Sequence, residues 1–223
     1  MLISMSRKSI FYIAFFVGLF LVFYFVLTKI IPGFTEKELP VLSDVQPFSF
    51  TNQENKTITN KDVAGKVYVA EYFFTTCKGI CPKMNTNLKK IYEMYKDQPD
   101  FLILSHTVDP ETDSVARMKH YADSLGINPA KWWFLTGSKE GLYKAARVSY
   151  LLDDPKNNLI NPAEQFIHTQ FFSLVDRNGQ VRKIYDGLKK EDIEEMKSDI
   201  NSLLKETVKY SRAAKPFSSN NFN

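Results

Sequence analysis

The pattern of apolar and polar positions divides the chain into one long apolar segment and a longer region of alternating strand and helix patterns. Residues 10–28, IFYIAFFVGLFLVFYFVLT, contain no charged side chain. A helix needs about 20 apolar residues to cross a bilayer, whereas a cleaved signal peptide has a shorter apolar region and a small-residue cleavage site. We therefore predict a transmembrane anchor at residues 10–31 that is retained, with the cleaved signal peptide as the alternative.

Two basic residues before this segment predict its orientation. Arg7 and Lys8 lie on the amino-terminal side, and positively charged flanks stay in the cytoplasm. Residues 1–9 are then a cytoplasmic stub, and the rest of the chain lies outside. Since no long Arg-rich presequence is present, we predict a single-pass protein of a bacterial inner membrane that faces the periplasm, where a cysteine pair can form a disulfide.

The region after the anchor predicts one α/β domain at residues 47–208, between a linker at 32–46 and a disordered tail at 209–223. Segments 66–74 and 101–108 are apolar and rich in β-branched and aromatic residues, as buried strands are. Segment 83–96 has apolar residues at helical spacing. Further strands are predicted at 132–135, 170–175 and 181–185, and further helices at 113–125, 138–148 and 190–208. This order predicts a mixed sheet flanked by helices.

Composition narrows the possible functions only slightly. The 223 residues are 44% hydrophobic and 24% charged, which is typical of a globular protein. The net charge of +4 is mild, and no basic stripe is interleaved with aromatic residues. Nucleic acid is therefore excluded as an expected partner.

The candidate chemistry lies in YFFTTCKGICPKMN, which holds the only two cysteines, Cys77 and Cys81. They follow a predicted central strand, and Pro82 suits the first turn of a helix. Ligands of open α/β sheets bind beyond the carboxyl ends of strands. Thiols near a helix amino terminus have lowered pKa values, so we expect both sulfurs to be thiolates, ready to act as nucleophiles or as metal ligands.

The spacing of the cysteines leaves two roles open. Residues four apart on a helix have Cβ atoms about 5–6 Å apart, whereas a disulfide needs about 3.5–4.5 Å. A metal with bonds of about 2.3 Å to each sulfur accepts the wider separation. A disulfide therefore needs the loop to adapt, and a metal needs less distortion. Two thiolates suit Cu(I), and a third ligand of intermediate softness also suits Cu(II).

Three histidines could supply that third ligand. His106 falls within a predicted strand, and His120 on a helix where solvent exposure is expected. His168 precedes a strand after a loop, and loops at the rim of a sheet often carry ligands. From the residues alone, His168 is a candidate ligand, with a purely structural role as the alternative.

Three motifs together resemble the Sco/SenC copper chaperones, which are membrane-anchored, thioredoxin-like proteins that help to assemble cytochrome c oxidase. They are FFTTCKGICPKM, HTVDPETDS and FIHTQFFSLVDRNG, and the resemblance spans about residues 47–204. It implies that Cys77, Cys81 and His168 bind copper, and that Asp109 lies near them and tunes the site. Lys78 departs from the family pattern, in which many members have proline at this position, and this bears on the rigidity of the loop.

Two functions follow from the motifs and the resemblance. The first is a metallochaperone, not an enzyme, that delivers copper to a cuproprotein, foremost to the dinuclear copper site of cytochrome c oxidase subunit II. The second is a thiol–disulfide oxidoreductase in which Cys77 and Cys81 form a redox-active disulfide and reduce the cysteines of the oxidase copper site. A thioredoxin-like peroxidase is a remoter third alternative, but no clear Trp-Gln-Asn set is present and we expect Trp132 and Trp133 to be packing residues.

Overall fold

The computed structural model describes residues 6–30, 39–153 and 169–206. The chain divides into two compact units, residues Met1–Glu38 and Leu39–Asn223. In the first unit, helix α1 covers Arg7–Ile30. Its stretch Arg7–Thr28 is long and apolar enough, by length and composition, to cross a membrane.

The second unit contains one eight-stranded sheet and five helices among the described residues. The strands are β1 (Ser43–Asp44), β2 (Ser49–Asn52), β3 (Thr57–Thr59), β4 (Val67–Phe73), β5 (Phe101–Thr107), β6 (Trp132–Thr136), β7 (Phe171–Val175) and β8 (Gln180–Asp186). The helices are α2 (Asn60–Val63), α3 (Cys81–Tyr95), α4 (Val115–Leu125), α5 (Lys139–Lys144) and α6 (Lys190–Lys205), and a π-helical turn, Ala145–Ser149, follows α5.

The sheet is mixed, as the sequence predicts. Its strand order is β1-β8-β7-β4-β5-β6-β2-β3. The pairs β4–β5 and β5–β6 are parallel, while β7 runs antiparallel to β4. The carboxyl ends of β4 and β5 therefore meet at one edge of the sheet, and β7 starts at that same edge.

Apolar clusters cover both faces of the sheet, which explains the near-continuous hydrophobic pattern of the central strands. All seven residues of β4 and all seven of β5 are buried. Alternate residues of β4 belong to different clusters: Val69 packs with α3 and α6, whereas Ala70 packs with α5 and the π-helical turn. The helices contribute their apolar stripes to these clusters, as Leu88 and Ile91 of α3 do.

The structure extends the sequence prediction at two places. Ser43 and Asp44 form β1 and pair with β8, so the sheet begins within the segment predicted as a linker, before residue 47. The predicted helix at 138–148 is α5 followed by the π-helical turn. The predicted tail, 209–223, lies outside the described residues, as does the carboxyl end of the predicted last helix.

Candidate metal and thiol site

Two neighbouring strands bring the candidate residues to one edge of the sheet. The loop after β4 carries Cys77, and Cys81 is the first residue of α3. The loop after the parallel strand β5 carries Asp109. Open α/β sheets bind ligands beyond the carboxyl ends of parallel strands, and these residues lie there.

Both cysteines are free thiols, and they differ in exposure. Cys77 is half-buried. Cys81 is 5% exposed and belongs to the same apolar cluster as Phe73 and Met84. Met84 is thus a core residue. The pair combines a sulfur that solvent and partners can reach with a sulfur that is largely shielded.

The expectation that both sulfurs are thiolates is wrong for Cys81. Burial, with smaller contributions from a hydrogen bond and a charge interaction with the neighbouring Cys77, raises the pKa of the Cys81 thiol to about 12. Pro82 does occupy the first turn of α3, as predicted. The positive end of a helix favours a thiolate by a modest amount, and loss of solvent around Cys81 outweighs it.

The raised pKa defines what the pair can do chemically. A metal ion displaces the proton of a coordinating thiol, so metal binding at Cys81 must release a proton and weakens at low pH. The same proton must leave before Cys81 can attack a disulfide, because the thiolate is the nucleophile. Both predicted roles of the pair therefore involve proton release from a buried thiol.

The structure describes two of the three histidines. His168, the predicted third ligand, lies outside the described residues. His106 is fully buried, its ring stacks on Tyr72 at 5.1 Å between ring centres, and burial lowers its pKa to about 4. Its ring also contacts Phe50 and Tyr150, which belong to the cluster on the face of the sheet opposite Cys81. His120 is exposed on α4, as expected.

The strand that follows His168 in the sequence begins near the cysteine edge. Strand β7 begins at Phe171 and runs antiparallel to β4, with Ser173 paired to Ala70. The start of β7 therefore lies beside the end of β4, from which the cysteine loop leaves. Within residues 6–30, 39–153 and 169–206, no three His, Cys, Asp or Glu side chains come together as a metal site.

Asp109 forms hydrogen bonds within its own loop. Its carboxylate accepts a hydrogen bond from the backbone N–H of Thr112 at 3.3 Å, and its own N–H donates to the Thr107 hydroxyl at 2.9 Å. It is half-buried at the same edge of the sheet as the cysteines. Its predicted role near the copper ligands stays a prediction.

Asp113 is the carboxylate that hydrogen-bonds the cysteine loop, and sequence reasoning missed it. It is fully buried and accepts hydrogen bonds from the Thr75 hydroxyl at 2.5 Å and from the Thr107 hydroxyl at 2.5 Å. The motif HTVDPETDS contains both aspartates, and only Asp109 directly follows the predicted strand. The signal that identifies Asp113 is its position before the Ser114 cap of α4, where the chain turns back towards the sheet.

Glu71 is a second buried carboxyl that the strand pattern concealed. It lies at the centre of β4, is 1% exposed and accepts a hydrogen bond from the Ser105 hydroxyl at 2.5 Å. That hydroxyl in turn accepts from the indole N–H of Trp132 at 2.8 Å, so Trp132 is a core residue as predicted. Burial raises the pKa of Glu71 to about 8, against a smaller opposing effect of Ser105.

Glu71 also affects the cysteine site electrostatically. A negative charge on Glu71 contributes to raising the pKa values of both Cys81 and Tyr121. Its Oε2 atom has no hydrogen-bond partner among the described residues. With a pKa of about 8 the Glu71 carboxyl is mostly protonated at neutral pH. A neutral Glu71 places no negative charge near the cysteines, so this contribution to their pKa values is mostly absent at neutral pH.

Comparison with known proteins identifies the family. The sequence model described as SCO1/SenC matches residues 38–205, which is most of the chain. The chain belongs to the SCO1/SenC family. This confirms the resemblance found in the three motifs.

Relatives in this family include curated and structurally characterised proteins. The SCO1 protein homolog of Bacillus subtilis (strain 168) is 31% identical over 167 residues, which cover 73% of this chain and 84% of the relative. BsSco, described as having a disulfide switch and as a member of the Sco family of cytochrome c oxidase assembly proteins, is 30% identical with a TM-score of 0.63, covering 76% of this chain and 97% of BsSco.

A third relative has been solved with copper. Bradyrhizobium japonicum ScoI with copper bound is 26% identical with a TM-score of 0.57, and the match covers 73% of this chain and 100% of ScoI. The solved Sco structures share the mixed sheet and flanking helices of the present chain, which confirms the predicted thioredoxin-like fold.

Proposed function

We propose that this Sco/SenC protein is a membrane-anchored copper metallochaperone. It binds copper through Cys77, Cys81 and His168 and delivers the metal to a cuproprotein, foremost to the dinuclear copper site of cytochrome c oxidase subunit II. The observation that carries the proposal is the pair of free thiols between β4 and α3, with Cys77 half-buried in the loop and Cys81 shielded at the first residue of α3. Soft sulfur ligands select Cu(I), and an added imidazole also suits Cu(II).

The geometry supports copper as cargo that the protein takes up and releases. Cys77 is accessible to an incoming or outgoing ion, whereas Cys81 is enclosed by apolar side chains. The thiol of Cys81 exchanges its proton for copper on loading and regains a proton on release, because burial disfavours an unpaired thiolate there. A ligand that readily returns to its neutral form assists delivery. Asp109, at the same edge, is proposed to tune the site.

We also propose where the protein is located and how the chain is arranged across the membrane. Helix α1 anchors the protein in the inner membrane with residues 1–9 in the cytoplasm, because Arg7 and Lys8 precede the apolar stretch. The folded unit is periplasmic and meets its partner outside the cytoplasm. Support comes from BsSco, whose family is described as one of cytochrome c oxidase assembly proteins, and from ScoI, which has been solved with copper.

A copper titration tests the ligand set. The reduced full-length protein, in detergent and without oxygen, is titrated with Cu(I), and the Cu(II) form is examined for sulfur-to-copper charge-transfer absorption. We expect one copper per chain, with binding lost in Cys77→Ser and charge-transfer absorption lost or greatly shifted in His168→Ala. The matched control is His120→Ala, because His120 is exposed on α4. Full copper binding and an unchanged spectrum in both site variants would refute the proposal.

Thiol–disulfide oxidoreduction is the second candidate, and the free cysteine pair favours it together with the disulfide switch described for BsSco. In this role the pair reduces a disulfide of the oxidase copper site: two thiols become one disulfide, and the partner's disulfide becomes two thiols. The two functions differ in their need for imidazole. A reductase retains most of its rate in His168→Ala, whereas a site with two sulfurs and one imidazole loses its Cu(II) spectrum.

A further inference from the structure

A buried carboxylate joins the two loops at the cysteine edge. Asp113 has no exposed surface. Its carboxylate accepts from the Thr75 N–H at 3.3 and 3.2 Å, from the Thr75 hydroxyl at 2.5 Å and from the Thr107 hydroxyl at 2.5 Å. We call these three residues the Asp113 cluster. A buried charge persists only where several donors compensate it, and hydrogen bonds to a carboxylate are stronger than neutral ones.

The Asp113 cluster connects the ends of two parallel strands. Thr107 is the last residue of β5, and Thr75 is the second residue after β4. The backbone reinforces this connection, because the Val108 N–H donates to the Phe73 carbonyl at 2.9 Å. The Asp113 N–H donates to the Asp109 carbonyl at 2.8 Å, which folds the second loop back on itself. Thr75 is thereby fixed against the end of β5.

The remainder of the cysteine loop forms few hydrogen bonds. Its backbone forms one turn, in which the Cys77 N–H donates to the Phe74 carbonyl at 3.2 Å. Lys78, Gly79 and Ile80 are exposed. Apart from Cys81, Asp113 is the one side chain from another element that hydrogen-bonds residues 75–80, as far as the described residues show. Besides this turn and the packing of Cys77 against the apolar cluster around α3, the hydrogen bonds at Thr75 are what fixes the position of Cys77.

We propose that Asp113 is the positioning residue of the cysteine pair and that, by fixing Thr75, it holds Cys77 beside Cys81. The inference rests on the proposed function, because copper binding and disulfide formation both require the two sulfurs together. Holding two reacting groups in place raises their effective concentration. Release of Thr75 lets Cys77 sample positions away from Cys81, and the equilibrium for closing the disulfide becomes less favourable.

The experiment measures that equilibrium directly in the full-length, metal-free protein with a chelator present. The protein is equilibrated with mixtures of oxidised and reduced dithiothreitol, and the dithiol fraction is determined by alkylation and mass spectrometry. Each protein disulfide that forms oxidises two protein thiols and reduces one dithiothreitol disulfide. The variants are Thr75→Val, which removes the hydroxyl donor and keeps the shape and the backbone N–H, and Asp113→Asn.

Two further variants make the comparison specific. Thr75→Ser retains the hydroxyl donor. Thr76→Val removes the hydroxyl of an exposed residue that is one position closer to Cys77. The equilibrium is measured at 25 °C on folded protein. A general loosening of the fold should change it equally in Thr75→Val and Thr75→Ser, whereas loss of the hydroxyl donor changes it only in Thr75→Val.

We expect the disulfide equilibrium constant of Thr75→Val to fall about tenfold, the equivalent of losing one hydrogen bond to a charged group; for this two-electron couple that is about 30 mV. Thr75→Ser and Thr76→Val should stay within about twofold of the native protein. An unchanged equilibrium in folded Thr75→Val would overturn the proposal, and this variant decides the matter if Asp113→Asn does not fold.

Failure of the copper proposal gives a different result. If the native protein binds no copper but Thr75→Val shifts the disulfide equilibrium, Asp113 positions the pair and the metallochaperone assignment is wrong. If the native protein binds one copper and the equilibrium does not shift, the metallochaperone assignment stands and the role of Asp113 is wrong.

Discussion

At the scale of single residues, the buried carboxyl of Glu71 makes stability depend on pH. Its pKa is about 8 in the folded protein, against an ordinary value of 4.5, because burial disfavours the charged form. The folded state then binds a proton that the unfolded state releases between these two pH values. The contribution of Glu71 to stability is therefore complete below about pH 4.5 and is lost as the pH rises through 8.

The variant Glu71→Gln should remove this dependence, because a neutral amide does not ionise. We expect the free energy of unfolding of the native protein to fall relative to the variant by up to about 1.4 kcal/mol per pH unit between these pKa values. Urea unfolding at pH 5 and pH 8 measures this, with tryptophan fluorescence as the signal, since both tryptophans lie in the folded unit.

The matched control for this measurement is Glu93→Gln. Glu93 is an exposed carboxylate on α3 that pairs with Lys96, and its loss should leave the pH dependence of the native protein in place. If Glu71→Gln and the native protein lost stability equally from pH 5 to pH 8, Glu71 would have to be ionised throughout that range.

At the scale of elements, the carboxyl end of α4 shows why a glycine follows the helix. Gly126 follows the last residue of α4 with φ of +63°, in the left-handed region where a side chain is strained. A Cβ atom added there would meet no other atom within 4 Å. The requirement for glycine is thus conformational and not a matter of space, in agreement with its predicted position after the helix.

Gly126→Ala should lower the free energy of unfolding by about 1 kcal/mol, because alanine disfavours a positive φ. Gly79→Ala is the control: its Cβ would also lie in open space, and Gly79 does not have a positive φ. Urea unfolding of both variants tests the difference. Equal effects of the two substitutions would contradict the conformational explanation.

The elements that the sequence predicted share strong local signals. The buried strands β4 and β5 have near-continuous apolar runs, and α3 and α6 have clear apolar stripes, so their predicted positions agree with the structure within a few residues. Strand β1 has only two residues, and it exists because Ser43 and Asp44 pair with β8. A pattern along the chain cannot reveal pairing with a partner more than 130 residues away.

The sequence motifs predicted which residues of the candidate site lie together, but not their environment. Cys77, Cys81 and Asp109 do lie at one edge of the sheet, as the order of strands and loops indicated. The high pKa of Cys81 and the roles of Asp113 and Glu71 were not predictable, because each depends on burial by distant side chains. Burial outweighs the helix terminus at Cys81, and only the three-dimensional packing reveals it.

At the scale of the whole molecule, the chain consists of an apolar amino-terminal helix followed by a Sco-type domain. The match to the SCO1/SenC family starts at residue 38, one residue before the second compact unit begins at Leu39. In the proposed function α1 anchors the domain, which restricts it to partners at the same membrane surface and raises their effective concentration. A membrane-bound oxidase meets this condition, and the family resemblance implies subunit II of cytochrome c oxidase as the proposed partner.

Transfer of copper to subunit II is the activity that defines the proposed metallochaperone. The copper-loaded full-length protein is mixed, without oxygen, with the reduced, copper-free soluble domain of cytochrome c oxidase subunit II, and copper in each protein is counted after separation. We predict that copper moves to subunit II and that its dinuclear site forms, while loaded protein mixed with a subunit II variant lacking the site cysteines retains its copper. Copper that stays on the native protein in both mixtures would contradict the metallochaperone account.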